Sequence, residues 1–157
     1  MNEAVRQGGC RCGKVRFEVS GEPLLTMACH CTGCQHMTAS AFSLSEGYSS
    51  GAFRVIEGEP VIGGIHGPTR HYHCAYCKSW LFTEPEAVAD FVNVRSTMFD
   101  QPRAEPPFVE TYHDEALSWA QTGASRTYER LPAMEEWPDL IQQFAARTAP
   151  ATEESNA

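Results

Sequence analysis

Seven cysteines carry the chemistry legible in this chain, and their spacing divides them into three groups. Cys10 and Cys12 form a C-x-C pair, Cys29, Cys31 and Cys34 a C-x-C-x2-C triplet, and Cys74 and Cys77 a C-x2-C pair. An odd number of thiols packed this closely does not suit disulfide pairing, because neighbours at such separations make strained partners. Zinc takes four thiolates in a closed tetrahedron when its role is structural, and three protein ligands with an open position when it is catalytic. Two short pairs far apart in sequence can clamp one ion, so Cys10, Cys12, Cys74 and Cys77 read as a structural zinc site. The triplet Cys29, Cys31 and Cys34 remains, with three ligands and a vacancy.

Extended backbone places residues i and i+2 on one face, so Cys29 and Cys31 address one ion while His30 points away. Thr32 then opens a turn that returns Cys34 as the third ligand. Gly13 lets the chain turn closely after Cys12. Two rivals stand beside this partition. Cysteine is also a small buried hydrophobe, although such residues have no reason to cluster at ligand spacing. A closed Cys3His site, completed by His30, His36 or His73, is the second rival.

The elements that must position these thiols are mostly strands. "KVRFEVSG" alternates Val15, Phe17 and Val19 with Lys14, Arg16 and Glu18, the period of a half-buried strand. "LLTMACHC" is an apolar strand running into the triplet. Further short strand signals lie at "AFSLS", "FRVIEG", "PVIGGI", "RHYHC", "SWLFTE", "DFVNVRS" and "FVETYH", separated by Gly, Pro and Ser. The expected fold class is mainly β with one C-terminal helix. That helix spans about 137–147, where Trp137, Leu140, Ile141 and Phe144 share a face and Pro138 suits the first turn. It is expected to pack on the sheet, with a partner-binding face as the alternative. One domain over 1–147 is expected, followed by a disordered tail over 148–157 ("TAPATEESNA").

Composition limits the partners. The chain has 157 residues, a net charge of −8, and ten arginines and two lysines that form no block. This balance argues against nucleic acid or an anionic membrane surface as a partner. No apolar run approaches the roughly 18 residues of a membrane span, and the start lacks a secretory signal pattern. A cytoplasmic location is expected, where clustered thiols serve metals or catalysis. The sequence leaves the oligomeric state open.

"GGCRCGKVRFEVSGEP", "CHCTGCQ", "SAF", "CAYCKSWLF", "ALSWA" and "LP" together resemble the glutathione-dependent formaldehyde-activating enzyme family, which also includes centromere protein V. The resemblance runs over about 8–132. It implies a compact Mss4-like zinc-binding β fold with two zinc ions per chain, structural at Cys10, Cys12, Cys74 and Cys77, catalytic at Cys29, Cys31 and Cys34. It implies a carbon–sulfur lyase of the S-(hydroxymethyl)glutathione synthase type, acting on the adduct of glutathione or a related thiol with formaldehyde or another small aldehyde. A non-catalytic zinc-stabilised binding module is the alternative, and redox sensing by the triplet a third reading. The chain departs from the family pattern at Lys78 and Ala39, where Gly is usual, and at His71 and His73. Glutathione's carboxylates suit arginines, of which Arg11, Arg70 and Arg95 lie near motifs. His30 and His36 are candidate supporting groups or proton shuttles, and Tyr72 and Tyr76 candidate pocket walls. Trp80 and Trp119 read as core residues.

Overall fold

Alternating apolar residues build two facing sheets in this computed structural model, which describes residues 4–63 and 67–148. The strands are β1 (Val5–Gly9), β2 (Arg16–Ser20), β3 (Leu25–Cys29), β4 (Ser43–Tyr48), β5 (Phe53–Glu57), β6 (Pro60–Ile62), β7 (Thr69–Cys74), β8 (Trp80–Pro85), β9 (Val92–Arg95), β10 (Val109–Thr111) and β11 (Arg126–Thr127). The helices are α1 (Thr32–Thr38) and α2 (Trp137–Thr148). Strands β1, β2 and β5 form a small antiparallel sheet. The large sheet has the order β11-β10-β3-β4-β9-β8-β7-β6, antiparallel except where β10 runs parallel to β3 and β11. The mainly β class with a C-terminal helix is the one expected from the sequence.

Each strand read from alternation is present. Val15, Phe17 and Val19 are buried, as their period requires. With Tyr48, Phe82, Val92, Val94 and Phe99 they form the core between the sheets. Phe17 meets Phe99 edge to face, with ring centroids 5.3 Å apart. Burial of each such ring stabilises the fold by about 2 kcal/mol. Two features were not anticipated. Strand β1 carries no alternating signal; it pairs residue by residue with β2 from Val5↔Ser20 to Gly9↔Arg16. Its Gly8 is forced by packing, because a Cβ there would lie 2.4 Å from the Met98 carbonyl and 2.5 Å from the Phe17 ring. The segment expected as a turn after Cys31 is instead the short helix α1.

A buried carboxylate ties the sheets together. Glu46 on β4 is fully buried and accepts hydrogen bonds from Arg6 of β1 at 2.6 Å, Tyr48 at 2.9 Å and Arg103 at 3.1 Å. Paired this fully, the charge is tolerated inside, whereas an unpaired carboxylate would cost several kcal/mol, on the order of 3–5. On the opposite face of the large sheet, Leu140 and Phe144 of α2 pack against Leu25, Met27, Phe108 and Val109. The helix therefore covers the sheet, as its apolar face predicts. Of the expected tail over 148–157, the residues from 149 on lie outside the described residues.

Candidate metal centres

Cys10, Cys12, Cys74 and Cys77 bring their sulfurs within 4.8 Å of one another. Two turns do this. After β1, Cys10 N–H donates to the Val15 carbonyl at 3.0 Å and Gly13 N–H to the Cys10 carbonyl at 3.0 Å. Gly13 has φ +78°, a conformation that residues with a Cβ adopt at a cost. Val15 N–H also donates to the Cys10 sulfur at 3.3 Å. Between β7 and β8, Lys78 N–H donates to the Cys74 carbonyl and Cys74 N–H to the Ser79 carbonyl, both at 3.0 Å. The Cys77 sulfur lies 3.2 Å from the Ser79 hydroxyl.

The spacing of the sulfurs is near that of a tetrahedral ion. Zinc–sulfur bonds of about 2.3 Å set sulfurs about 3.8 Å apart. Here Cys10 and Cys12 are 3.4 Å apart and Cys12 and Cys74 3.8 Å, with all seven cysteines unbridged. The thiol donor set is one that zinc favours.

The second cluster joins Cys29, Cys31 and Cys34, again within 4.8 Å. Cys29 ends β3 and Cys31 caps α1, its sulfur accepting from Cys34 N–H at 3.3 Å. Hydrogen bonds from the Cys29 and Cys34 thiols, joined by the N–H groups of Cys34 and Gly33, hold the Cys31 thiol far below its ordinary range. The same contacts with Cys29 and Cys31 push Cys34 up. Three thiols this close together suit a cation, which would bind them by replacing their protons.

His30 lies between Cys29 and Cys31 on the opposite face, as extended geometry requires. It is fully buried, with Nε2 3.0 Å from Glu110 Oε2 and its ring against Phe42. Glu110 also accepts from Thr122 at 2.7 Å and Thr127 at 2.8 Å. Gln35 donates to the His30 carbonyl at 2.7 Å and to the Glu115 carbonyl at 3.1 Å. Glu115 in turn accepts from Thr32 N–H at 2.6 Å. The segment 110–115 therefore braces the triplet loop from below, a role the sequence reading missed because pairing across eighty residues leaves no local pattern.

The closed Cys3His rival finds no support: among the described residues no histidine joins either cluster. His36 is exposed, and His73 lies on β7. Of the candidate arginines, Arg11 is exposed, and Arg70 is an exposed partner of Glu84 at 3.5 Å. Arg95 differs. It is 7% exposed, and its guanidinium carbon stands 4.0 Å over the Trp80 ring. Strand register puts it on the face of Cys29, since Cys29 opposes Ser43 and Arg95 opposes Ser45. Burial lowers its pKa to about 10, opposed by the charges of Cys34 and Cys29, so it stays cationic at neutral pH.

Trp80 is buried as expected, but Trp119 is not core. It is 72% exposed, in the loop after Glu115. Tyr72 stacks on Phe82 and donates to Glu84 at 3.0 Å, and Tyr76 is exposed beneath the Lys14 ammonium; neither lines the cavity next to α1. That cavity, of about 410 Å³, lies between α1 and the Cys74–Cys77 turn, with Thr38, Phe42, Lys78, Trp80, Arg95 and Thr97 among its walls. Both positions where the chain departs from a usual glycine adopt the left-handed region, Ala39 with φ +49° and Lys78 with φ +63°.

A family model described as glutathione-dependent formaldehyde-activating enzyme matches residues 5–115. A search of curated proteins returned no match. Among solved structures, the crystal structure of a Rhodobacter sphaeroides protein is similar, with 18% identity and a TM-score of 0.52, over 62% of this chain and 91% of that one. At that identity the likeness speaks for the fold alone. Among the described residues, no helix is long and apolar enough to cross a membrane.

Proposed function

The chain belongs to the glutathione-dependent formaldehyde-activating enzyme family, and from that premise we propose that it is a carbon–sulfur lyase acting on the adduct of glutathione, or a related thiol, with formaldehyde or another small aldehyde. The observation that carries this reading is the incomplete triplet. Three sulfurs converge, no fourth protein ligand joins them among the described residues, and the helix that carries Cys34 also lines a cavity, through Met37 and Thr38. Cys29, Cys31 and Cys34 would hold a catalytic zinc, and Cys10, Cys12, Cys74 and Cys77 a structural one, two ions per chain. Once bound at the triplet, zinc supplies a positive centre that accepts a soft thiolate and eases loss of the thiol proton.

The chain's own residues do the rest. The Cys34 N–H and the His30–Glu110 pair fix the ligand loop. Phe42 and Trp80 exclude water from one side of the cavity, and Arg95 provides a positive potential beside Cys29 and Cys34. The thiol sulfur attacks the aldehyde carbon, a carbon–sulfur bond forms, and the carbonyl π pair moves to oxygen. The thiol's proton is lost and the oxygen gains one, so thiol plus formaldehyde gives the hydroxymethyl thioether with atoms balanced. Holding nucleophile and electrophile together supplies the advantage. The same steps in reverse cleave the adduct. The partners are small molecules, taken by one zinc-stabilised domain that runs through α2 to Thr148. Seven unbridged thiols suit the reducing cytoplasm.

The test is metal content per chain, read for the wild type and Cys31→Ser. Two zinc ions in the wild type and one in a folded Cys31→Ser support an open second site. An unfolded Cys31→Ser, or unchanged metal content, contradicts it and favours a purely structural role for both clusters.

A further inference from the structure

The cavity between α1 and the Cys74–Cys77 turn has an electrostatic character opposite to that of the chain. The protein carries a net charge of −8, yet the charged residues lining this cavity are Lys78 and Arg95, with no carboxylate among them. Arg95 sits in the wall, nearly buried, with one Nη donating to the Asn93 carbonyl at 3.4 Å and Nε without a partner. Among the described residues no carboxylate pairs with it. A buried guanidinium left without a carboxylate is costly unless something anionic approaches it. The Cys34 and Cys29 sulfurs act on it electrostatically. Lys78 approaches from a different element, the exposed turn after Cys77, and also borders a second cavity of about 480 Å³ that contains His71 and His73.

Lys78 is the more telling residue, because its backbone would be easier for glycine. With φ +63° it pays a conformational penalty that a glycine avoids. Its N–H closes the turn on the Cys74 carbonyl, a bond that glycine would make equally well. The backbone therefore gives no reason for a lysine here, and the side chain has no ion-pair partner among the described residues. Strain of this kind is retained where a side chain has a task. Both cations line this one cavity, which suits a ligand whose anionic group enters it.

Resting on the lyase reading, we propose that Lys78 and Arg95 form a carboxylate-docking site, which makes this protein selective for thiols that carry a carboxylate over neutral ones. Arg95 offers a planar donor and Lys78 a mobile one, so together they grip a carboxylate while the sulfur end reaches Cys29, Cys31 and Cys34. Lys78 is the specificity-determining member, and Arg95 the member that is held in place by Trp80.

The site is tested with S-methylglutathione, which presents both carboxylates but has no thiol to offer a metal. Its binding to the zinc-loaded protein is measured by calorimetry beside that of its diethyl ester. The expected result is binding of the acid at least tenfold tighter than the ester, weakening with added salt and about tenfold in Lys78→Gly. Lys78→Gly should be folded and no less stable, since glycine suits the turn, which separates loss of docking from loss of structure. Equal binding of acid and ester, no binding of the acid, or an unaltered preference in Lys78→Gly overturns the docking site. A preserved acid preference in a protein that does not accelerate thiol addition to formaldehyde keeps the docking site and overturns the lyase reading instead.

Discussion

Glu110 illustrates how a single residue supports the triplet from a distance. Burial raises its pKa, but hydrogen bonds from Thr122, His30 and Thr127, with the nearby His113, outweigh it and leave the carboxyl below its usual range. A folded-state pKa below the unfolded value of about 4.3 contributes stability that is fully present above that value. The contribution is lost as pH falls through the lower, folded value. Glu110→Gln should therefore cost about 1–3 kcal/mol at neutral pH by weakening a buried network. Its stability should also fall less steeply below about pH 4.5 than that of the wild type. Urea midpoints from pH 3 to 7 check both; parallel curves for the two proteins would remove Glu110 from this role. Short spacing made the two cysteine clusters legible in the sequence, because thiols a few residues apart leave a local pattern. The Glu110–His30 contact was not legible, since strand pairing between β3 and β10 decides it. Trp119 was misread for a related reason: hydrophobicity sets an average tendency to burial, while the loop's path sets the outcome.

At the scale of elements, alternation located the strands and the 3.6-residue period located α2, because both report which face meets the core. The period could not identify α1. Seven residues without a buried face give no amphipathic signal, and only the Cys31 cap marks its start. Order within the large sheet was equally hidden, as the parallel pairing of β10 with β3 joins segments about eighty residues apart. Helix α2 should be a packing element and nothing more. Phe144→Ala is expected to lower stability by about 3–5 kcal/mol, as removal of a buried ring does. Metal content should be unchanged, because α2 contributes no ligand. A loss below about 1 kcal/mol would mean that the helix is only loosely docked.

At the scale of the molecule, the two clusters hold different parts of the chain. Cys10 and Cys12 with Cys74 and Cys77 join the β1–β2 turn to the β7–β8 turn across more than sixty residues, so that metal is expected to cross-link the two sheets. The triplet lies within six residues and cross-links nothing distant. Cys74→Ser should consequently lower the thermal midpoint sharply, whereas Cys31→Ser should lower it little. Equal losses in differential scanning calorimetry would contradict that division. Such an unequal division would leave the triplet free for the proposed chemistry, near a cavity whose charged lining residues are Lys78 and Arg95 in a protein of net charge −8.

The central claim is that the triplet accelerates a thiol–aldehyde exchange. Its most direct test is the exchange rate between glutathione and S-hydroxymethylglutathione at equilibrium with formaldehyde, measured by NMR with zinc-loaded protein. The uncatalysed reaction is already facile, so the rate must be read against the protein-free sample. The account predicts acceleration above that background by the wild type and its loss in folded Cys31→Ser. A rate equal to background, or equal acceleration by Cys31→Ser, would contradict it.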